Sequence, residues 1–138
     1  KDNIYLDELK KAAVKDIPKS SKVVLVGHSL GGMVAQQFAA DAEMKEKYEI
    51  KNVLTVGSPY IMTTDREGGL YRMVDSGDII PYLSTAFFKN FSEGNYTRIN
   101  NGYFGRPDAA HNLSYQLADS WLEYDCFGVK GGTAKIVF

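Results

Sequence analysis

The chain has 138 residues, and its 44% hydrophobic content is enough for a single domain with a buried core. Its 16 Lys and Arg residues stand against 17 Asp and Glu, a formal net charge of -1, so the clustered basic face of a nucleic-acid-binding protein is not expected. The apolar runs are too short to span a membrane, and the single cysteine, Cys126, excludes an intrachain disulfide.

The first half of the chain alternates between helical and extended patterns. The spacing of apolar residues predicts a helix over Ile4–Asp16, ended by Pro18. Residues 22–26 (KVVLV) form a short β-branched run, typical of a strand buried on both faces. Helical spacing returns at Leu30 and predicts a helix to about Lys47. The first helix is expected to bury a face made of Ile4, Leu6, Leu9, Ala13 and Val14.

The second half predicts more strands and a helix. Strands are expected over residues 50–56, 70–74 and 96–99, and less clearly over 134–138. A helix is expected over residues 113–124, with Leu113, Leu117 and Trp121 on its inner side. This order predicts an α/β fold with a mostly parallel sheet of about four strands and flanking helices. Functional residues of such sheets gather at the carboxyl ends of the strands.

The pentapeptide Gly27-His28-Ser29-Leu30-Gly31 fits the G-x-S-x-G pattern of a nucleophile elbow, between a buried strand and an amphipathic helix. Ser29 would sit on a sharp turn that projects its hydroxyl above the sheet. The elbow requires small residues two before and two after the serine, hence Gly27 and Gly31, and Gly32 would relieve the same crowding. The N–H of Leu30, at the helix start, would be one oxyanion donor.

A serine hydroxyl needs an imidazole to take its proton, and the chain has only two histidines. His28 adjoins Ser29 on a tight turn, where neighbouring side chains point apart, so we expect it to pack or hydrogen-bond beside the elbow. His111 is therefore the predicted base, by elimination.

The third member should be a carboxylate that follows a strand between the serine and the histidine. Asp75 and Asp78 both follow the predicted strand over residues 70–74. Asp78 is favoured because Gly77 permits a turn before it and an apolar pair anchors the chain after it. Asp65 and Asp108 are more distant candidates. The aspartate that is not used would be an ordinary turn cap.

Four blocks, VVLVGHSLGG, LTVGSP, VDSGDIIPYL and AHNLSY, resemble the successive motifs of the class 3 (fungal-type) lipase family within the α/β-hydrolase fold. The resemblance covers residues 20 to 124 and implies a triad of Ser29, Asp78 and His111. It also implies hydrolysis of acylglycerols, phospholipid acyl esters or other small esters. No metal or organic cofactor is then expected. The resemblance also implies contact with a membrane surface and export from the cell.

The family's domain is longer than this chain, so residues 1–138 are interpreted as a single domain truncated at its N-terminus. The missing part would supply the first strands, the second oxyanion donor and the lid. Residues 23–26 would then present an unpaired apolar edge. We expect a lost N-terminal segment, a second chain or another copy of this chain to cover that edge.

Ester hydrolysis through an acyl-enzyme is the leading functional hypothesis. A thioesterase, acyltransferase or amidase with the same triad remains open, as does an inactive hydrolase fragment that acts as a binding module. Two aromatic regions also admit two interpretations, substrate contact or ordinary packing. They are residues 90–106 and the set Tyr82, Leu83, Phe87 and Phe88.

Overall fold

The computed structural model describes residues 3–61, 63, 65–84, 90, 94–117 and 120. The predicted strand over 134–138, and with it Trp121 and Cys126, lies outside these residues. The main elements are α1 (Ile4–Asp16), β1 (Lys22–His28), α2 (Leu30–Ala40), α3 (Ala42–Lys47), β2 (Glu49–Val56), β3 (Gly69–Asp75), β4 (Asn95–Ile99) and α4 (Pro107–Asn112). Short 3-10 turns cover Ile80–Leu83 and Ser114–Gln116.

The four strands form one parallel sheet in the order β1-β2-β3-β4, which confirms the predicted α/β class. His28 at the end of β1 is in register with Val56 at the end of β2. Asp75 at the end of β3 is in register with Ile99 at the end of β4. All four carboxyl ends therefore lie along one edge of the sheet, where the polar motifs of the sequence follow β1, β2 and β3.

The three helices α1, α2 and α3 share an apolar core with one face of the sheet. Phe38 and Ala39 of α2 and Met44 of α3 are almost fully buried there, with Val53 of β2 beneath them. The Tyr48 hydroxyl donates hydrogen bonds to main-chain carbonyls at the end of α1. Burial of this apolar surface is the main stabilising contribution on this side.

Helix α1 contacts that core with a narrower stripe than its sequence predicts. Ala13 is buried and Leu6 packs against the core as expected. Ile4, Leu9 and Val14 are 69%, 37% and 47% exposed, so their predicted burial is wrong. The reason is that α1 packs through the residues that point at α2 and at Tyr48, and the positions beside that stripe remain in solvent.

The predicted helix over 30–47 is two helices. Asp41 lies between them with an extended backbone, φ -70° and ψ 125°. Its carboxylate accepts the N–H of Met44 and so caps the start of α3. This local bond replaces the continuation of α2, because a side-chain acceptor at that position satisfies the first amides of a new helix.

The predicted helix over residues 113–124 is also wrong in its described part. Ser114–Gln116 form a 3-10 turn, and Leu117 returns to an extended conformation. Leu113 and Leu117, expected on an inner face, are 47% and 40% exposed. Ser114 and Tyr115 point inward instead, because their hydroxyls hydrogen-bond to groups at the end of β3.

Strand β1 is the edge strand of the described sheet and pairs with β2 alone. Val26 is 56% exposed, so the expected burial of this strand on both faces is wrong there. The helices cover the opposite face, and none of the described elements lies over Val26. A segment that covers the outer edge of β1 stays a prediction. Among the described residues, no helix has the length and apolar character required to cross a membrane.

Candidate active site

Ser29 connects β1 directly to α2 and has a strained backbone. Its φ of 57° and ψ of -125° are rarely adopted by a residue with a side chain. The Ser29 N–H donates to the carbonyl of Val56 at 3.0 Å, which fixes the turn to the end of β2. Its hydroxyl makes no capping bond to α2. The strain therefore directs the hydroxyl away from the helix.

Close packing at the elbow explains two of its three glycines. A Cβ on Gly27 would lie 2.3 Å from the carbonyl oxygen of Gly31, and one on Gly32 would lie 2.4 Å from Ser58 Oγ. A Cβ on Gly31 would meet nothing within 4 Å. The expected crowding at Gly31 is therefore wrong, because this residue lies on the exposed side of α2. Gly32 occupies the second crowded position.

Ser29, His111 and Asp78 form one hydrogen-bonded chain. Ser29 Oγ lies 3.0 Å from His111 Nε2, and His111 Nδ1 lies 2.9 Å and 3.0 Å from the two carboxylate oxygens of Asp78. Because a carboxylate only accepts hydrogen bonds, Nδ1 carries the ring hydrogen and Nε2 is left to accept the serine proton. Asp78 is fully buried and the His111 side chain is 15% exposed.

Of the two candidate aspartates, Asp78 is the one that contacts His111. Its carboxylate also accepts the Ile80 N–H at 3.0 Å and the Tyr115 hydroxyl at 2.6 Å. Burial raises the pKa of Tyr115, and the neighbouring Asp78 carboxylate raises it further. Tyr115 is thus a neutral donor to the buried carboxylate of Asp78.

His28 hydrogen-bonds beside the elbow, as expected. Its Nε2 donates to the main-chain carbonyl of His111 at 2.7 Å, and the two imidazole rings are 4.6 Å apart. This bond links the end of β1, which bears Ser29, to the last turn of α4. It therefore fixes the backbone of His111 relative to the elbow.

Gly57, the residue after β2, lies against the side chains of Asp78, Tyr115 and His111 and was not singled out from the sequence. Its φ is +57°. A Cβ there would lie 2.7 Å from Asp78 Oδ2, 2.7 Å from the Tyr115 ring and 3.2 Å from His111 Nδ1. Only glycine combines this backbone conformation with this space. The sequence signal was a glycine closing a buried strand in the block LTVGSP.

A second group that sequence reasoning missed holds the segment after Asp78. Asn90 is buried, and its side chain donates to the Pro81 carbonyl at 2.8 Å and accepts the Tyr60 N–H at 3.0 Å. The fully buried Arg72 donates to the same amide oxygen and lies over the Tyr60 and Tyr96 rings. These bonds tie the loops after β2 and β3 together.

Exposed apolar side chains follow Ser29 and Asp78 in the chain. Leu30, Ile79 and Leu83 are 65%, 59% and 70% exposed, and Tyr82 is 38% exposed. Tyr82 and Leu83 are therefore not core residues, whereas Phe87 and Phe88 lie outside the residues that the structure describes. A cavity of about 270 Å³ opens beside His28, lined by Val56, Asn112, Tyr115 and Gln116. Within the described ranges no group of His, Cys, Asp and Glu could hold a metal ion.

Comparison with known proteins identifies one family. The model of the family Lipase (class 3) matches residues 3–88, a stretch that contains Ser29, Gly57 and Asp78 and ends before His111. Searches of curated proteins and of solved structures found no match. Because the family match covers well over half of the chain, the protein belongs to the class 3 lipases, a hydrolase family of the α/β-hydrolase lineage whose membership implies lipid ester substrates.

Proposed function

We propose that the chain is a carboxylic ester hydrolase of the lipase or esterase type, working through an acyl-enzyme on Ser29. The observation that carries the proposal is the continuous hydrogen-bonded chain from Ser29 Oγ through His111 to Asp78. Family membership implies lipid ester substrates, and among these we propose acylglycerols or phospholipid acyl esters. The exposed apolar side chains that follow Ser29 and Asp78 suit an acyl chain.

In the first half of the reaction, Ser29 Oγ attacks the ester carbonyl carbon while His111 Nε2 accepts the serine proton. Asp78 stabilises the imidazolium that forms. Leu30 is the first residue of α2, so its N–H has no acceptor within the helix and serves as a donor to the oxyanion. The carbon–oxygen bond to the alcohol breaks, and the alcohol leaves with the proton from His111.

In the second half, a water molecule attacks the acyl group on Ser29, and His111 again accepts the proton. The ester bond to Ser29 breaks, the carboxylic acid leaves, and His111 returns the proton to the serine oxygen. The protein's contribution is preorganisation: the strained elbow and the bonds of Asp78 hold the three side chains in place before substrate binds.

The experiment is the hydrolysis of p-nitrophenyl esters of increasing acyl length by the wild type, Ser29→Ala and His111→Ala. Each substitution should lower kcat/KM by about 10³-fold or more, because the three residues act as a unit. Ser21→Ala is the matched serine control, since Ser21 precedes β1, at the opposite end of the strand from Ser29, and its hydroxyl donates to the Pro18 carbonyl. Activity that survives in Ser29→Ala contradicts the proposal.

The same assay separates the alternatives. Faster turnover of a thioester than of the matched oxygen ester would indicate a thioesterase, and acyl transfer to an added alcohol in preference to water would indicate an acyltransferase. A well-folded wild type that turns over none of these substrates would indicate a binding module.

We also propose that a further polypeptide segment pairs with the outer edge of β1 in the functional protein. In the described sheet β1 pairs with β2 alone, and unpaired strand edges promote association. Sedimentation velocity combined with amide hydrogen exchange tests this. A dimer, or a monomer with protected outward amides in β1, supports it, whereas a monomer with unprotected outward amides contradicts it.

A further inference from the structure

A second buried carboxylate lies behind the one that contacts His111. Asp75 ends β3 and is fully buried. One of its carboxylate oxygens accepts the Gly77 N–H at 2.8 Å, and the other accepts the Ser114 hydroxyl at 2.5 Å. Both donors are neutral groups. Both oxygens of Asp75 therefore act as hydrogen-bond acceptors.

The main chain of Asp75 is bonded to both segments that carry the candidate catalytic residues. Its carbonyl accepts the Asp78 N–H at 3.0 Å. Its N–H donates to the Tyr115 hydroxyl at 2.9 Å, and that hydroxyl in turn donates to Asp78. Through Ser114 and Tyr115 it also holds the turn that follows α4, the helix of His111. Asp75 thus connects the segment that carries Asp78 with the turn after α4.

We infer that Asp75 is a positioning residue whose buried negative charge, added to that of Asp78, favours the protonated form of His111. The inference rests on the proposed roles of Asp78 and His111. Charges interact strongly where water is excluded, so a second carboxylate close behind the first stabilises the imidazolium that forms when Ser29 is deprotonated. Its bonds to Ser114 and Tyr115 keep the Tyr115 hydroxyl on Asp78.

Within the described part of the chain, few charged and titratable groups lie around His111, so the contribution of Asp75 is measurable. His28 faces the ring from β1, and Tyr115 faces it from the turn after α4. The end of β3 contributes Asp75 and Asp78. Helix α4 is flanked by Arg106 and carries Asp108, while Arg72 of β3 is engaged by Asn90.

An ordinary turn cap is the competing interpretation, and one substitution separates the two. The bond from Gly77 N–H to Asp75 is an Asx turn, which asparagine forms equally well. Asp75→Asn therefore keeps the turn and removes the charge. Asp75→Ser is a second charge-free variant, since a serine hydroxyl accepts the same bond. Ser114→Ala is the matched control, because it keeps the charge and removes only the Ser114 hydroxyl, which donates to Asp75 and accepts from Asn101.

The measurement is an NMR titration of the two imidazole rings in the full chain, with His28→Asn used to assign them. We expect either charge-free variant to lower the proton affinity of the His111 ring about threefold or more, with a smaller change in Ser114→Ala. An unchanged His111 titration in the charge-free variants overturns the inference. So does an equal decrease in Ser114→Ala, which would assign the effect to geometry.

Fluorophosphonate labelling of the wild type, run in parallel, reports on the proposed function separately. Absent labelling together with the expected change at His111 would refute hydrolysis and leave the role of Asp75 standing. Normal labelling together with an unchanged His111 titration would refute only the role of Asp75.

Discussion

The helical face of the sheet and the carboxyl ends of its strands are held together by different interactions. On the helical face, Phe38, Met44 and Val53 pack side chain against side chain, and such apolar contacts have no preferred direction. At the carboxyl ends, Ser29 and Asp78 are held by hydrogen bonds of defined length and direction. The backbone there has positive φ at Ser29 and Gly57.

The difference indicates which changes each region tolerates. A core of apolar contacts loses stability in proportion to the volume removed, and its neighbours relax around the change. A set of directed hydrogen bonds over a strained turn loses its geometry when one atom is added. We therefore expect substitutions on the helical face to change stability before activity, and those at the strand ends to change activity first.

The largest expected effect on stability comes from Phe38→Ala. Phe38 is 1% exposed and packs against the Tyr48 ring, so its truncation leaves a cavity and should lower the free energy of unfolding by about 3 to 5 kcal/mol. Chemical denaturation measures this change, with Phe104→Ala as the control because Phe104 is 82% exposed. Folded Phe38→Ala should keep esterase activity within about tenfold. A 10³-fold loss of activity in that variant would contradict the expectation that the helical face affects stability before activity.

Gly57→Ala tests the strand ends with one added methyl group. We expect a loss of about 1 to 3 kcal/mol of stability, from the positive φ and the contacts with Asp78 and Tyr115, and a loss of activity of at least about tenfold. Gly102→Ala is the matched control, since Gly102 has φ +81° but nothing within 4 Å of its added Cβ. If both variants lose activity equally, the crowding beneath the candidate catalytic side chains has no role.

The smallest expected effects come from two buried tyrosines, one in each region. Tyr115→Phe removes a donor to Asp78, and Tyr48→Phe removes a donor to the end of α1. Each should cost about 1 to 2 kcal/mol of stability, but only Tyr115→Phe should lower kcat/KM, by about tenfold. An equal loss of activity in Tyr48→Phe would contradict the account.

Tyr115 also predicts that the free energy of unfolding depends on pH. Burial raises the pKa of Tyr115 in the folded state, so the folded chain keeps a proton that the unfolded chain releases above about pH 10. This contribution is present below that pH and is lost as the pH rises above it. In Tyr115→Phe, stability should therefore fall less steeply above about pH 10, as thermal unfolding at a series of pH values would measure.

The fold, Ser29 and His111 follow from local patterns in the sequence. β-branched runs mark the strands, and the G-x-S-x-G turn marks Ser29. The scarcity of histidines leaves His111 as the one candidate base. Asp75 and Asp78 could not be separated with certainty, because both follow β3 and only the three-dimensional turn decides which carboxylate meets the ring.

The features that escaped prediction depend on contacts between distant segments. Tyr115 faces the core because its hydroxyl bonds to Asp75 and Asp78, whereas apolar spacing favoured Leu113 and Leu117. Position 57 has room only for glycine because of side chains that lie 21 or more positions later in the chain. Apolar periodicity reports on burial along a single element, so it carries no information on hydrogen bonds between elements.

The central claim is that His111 and Asp78 make Ser29 a nucleophile at the carboxyl ends of the strands. Labelling with a fluorophosphonate, measured by intact mass on the wild type and Ser29→Ala, tests it most directly. The account predicts one label per wild-type chain and none on Ser29→Ala. A well-folded wild type that takes up no label, or a label that persists in Ser29→Ala, would contradict it.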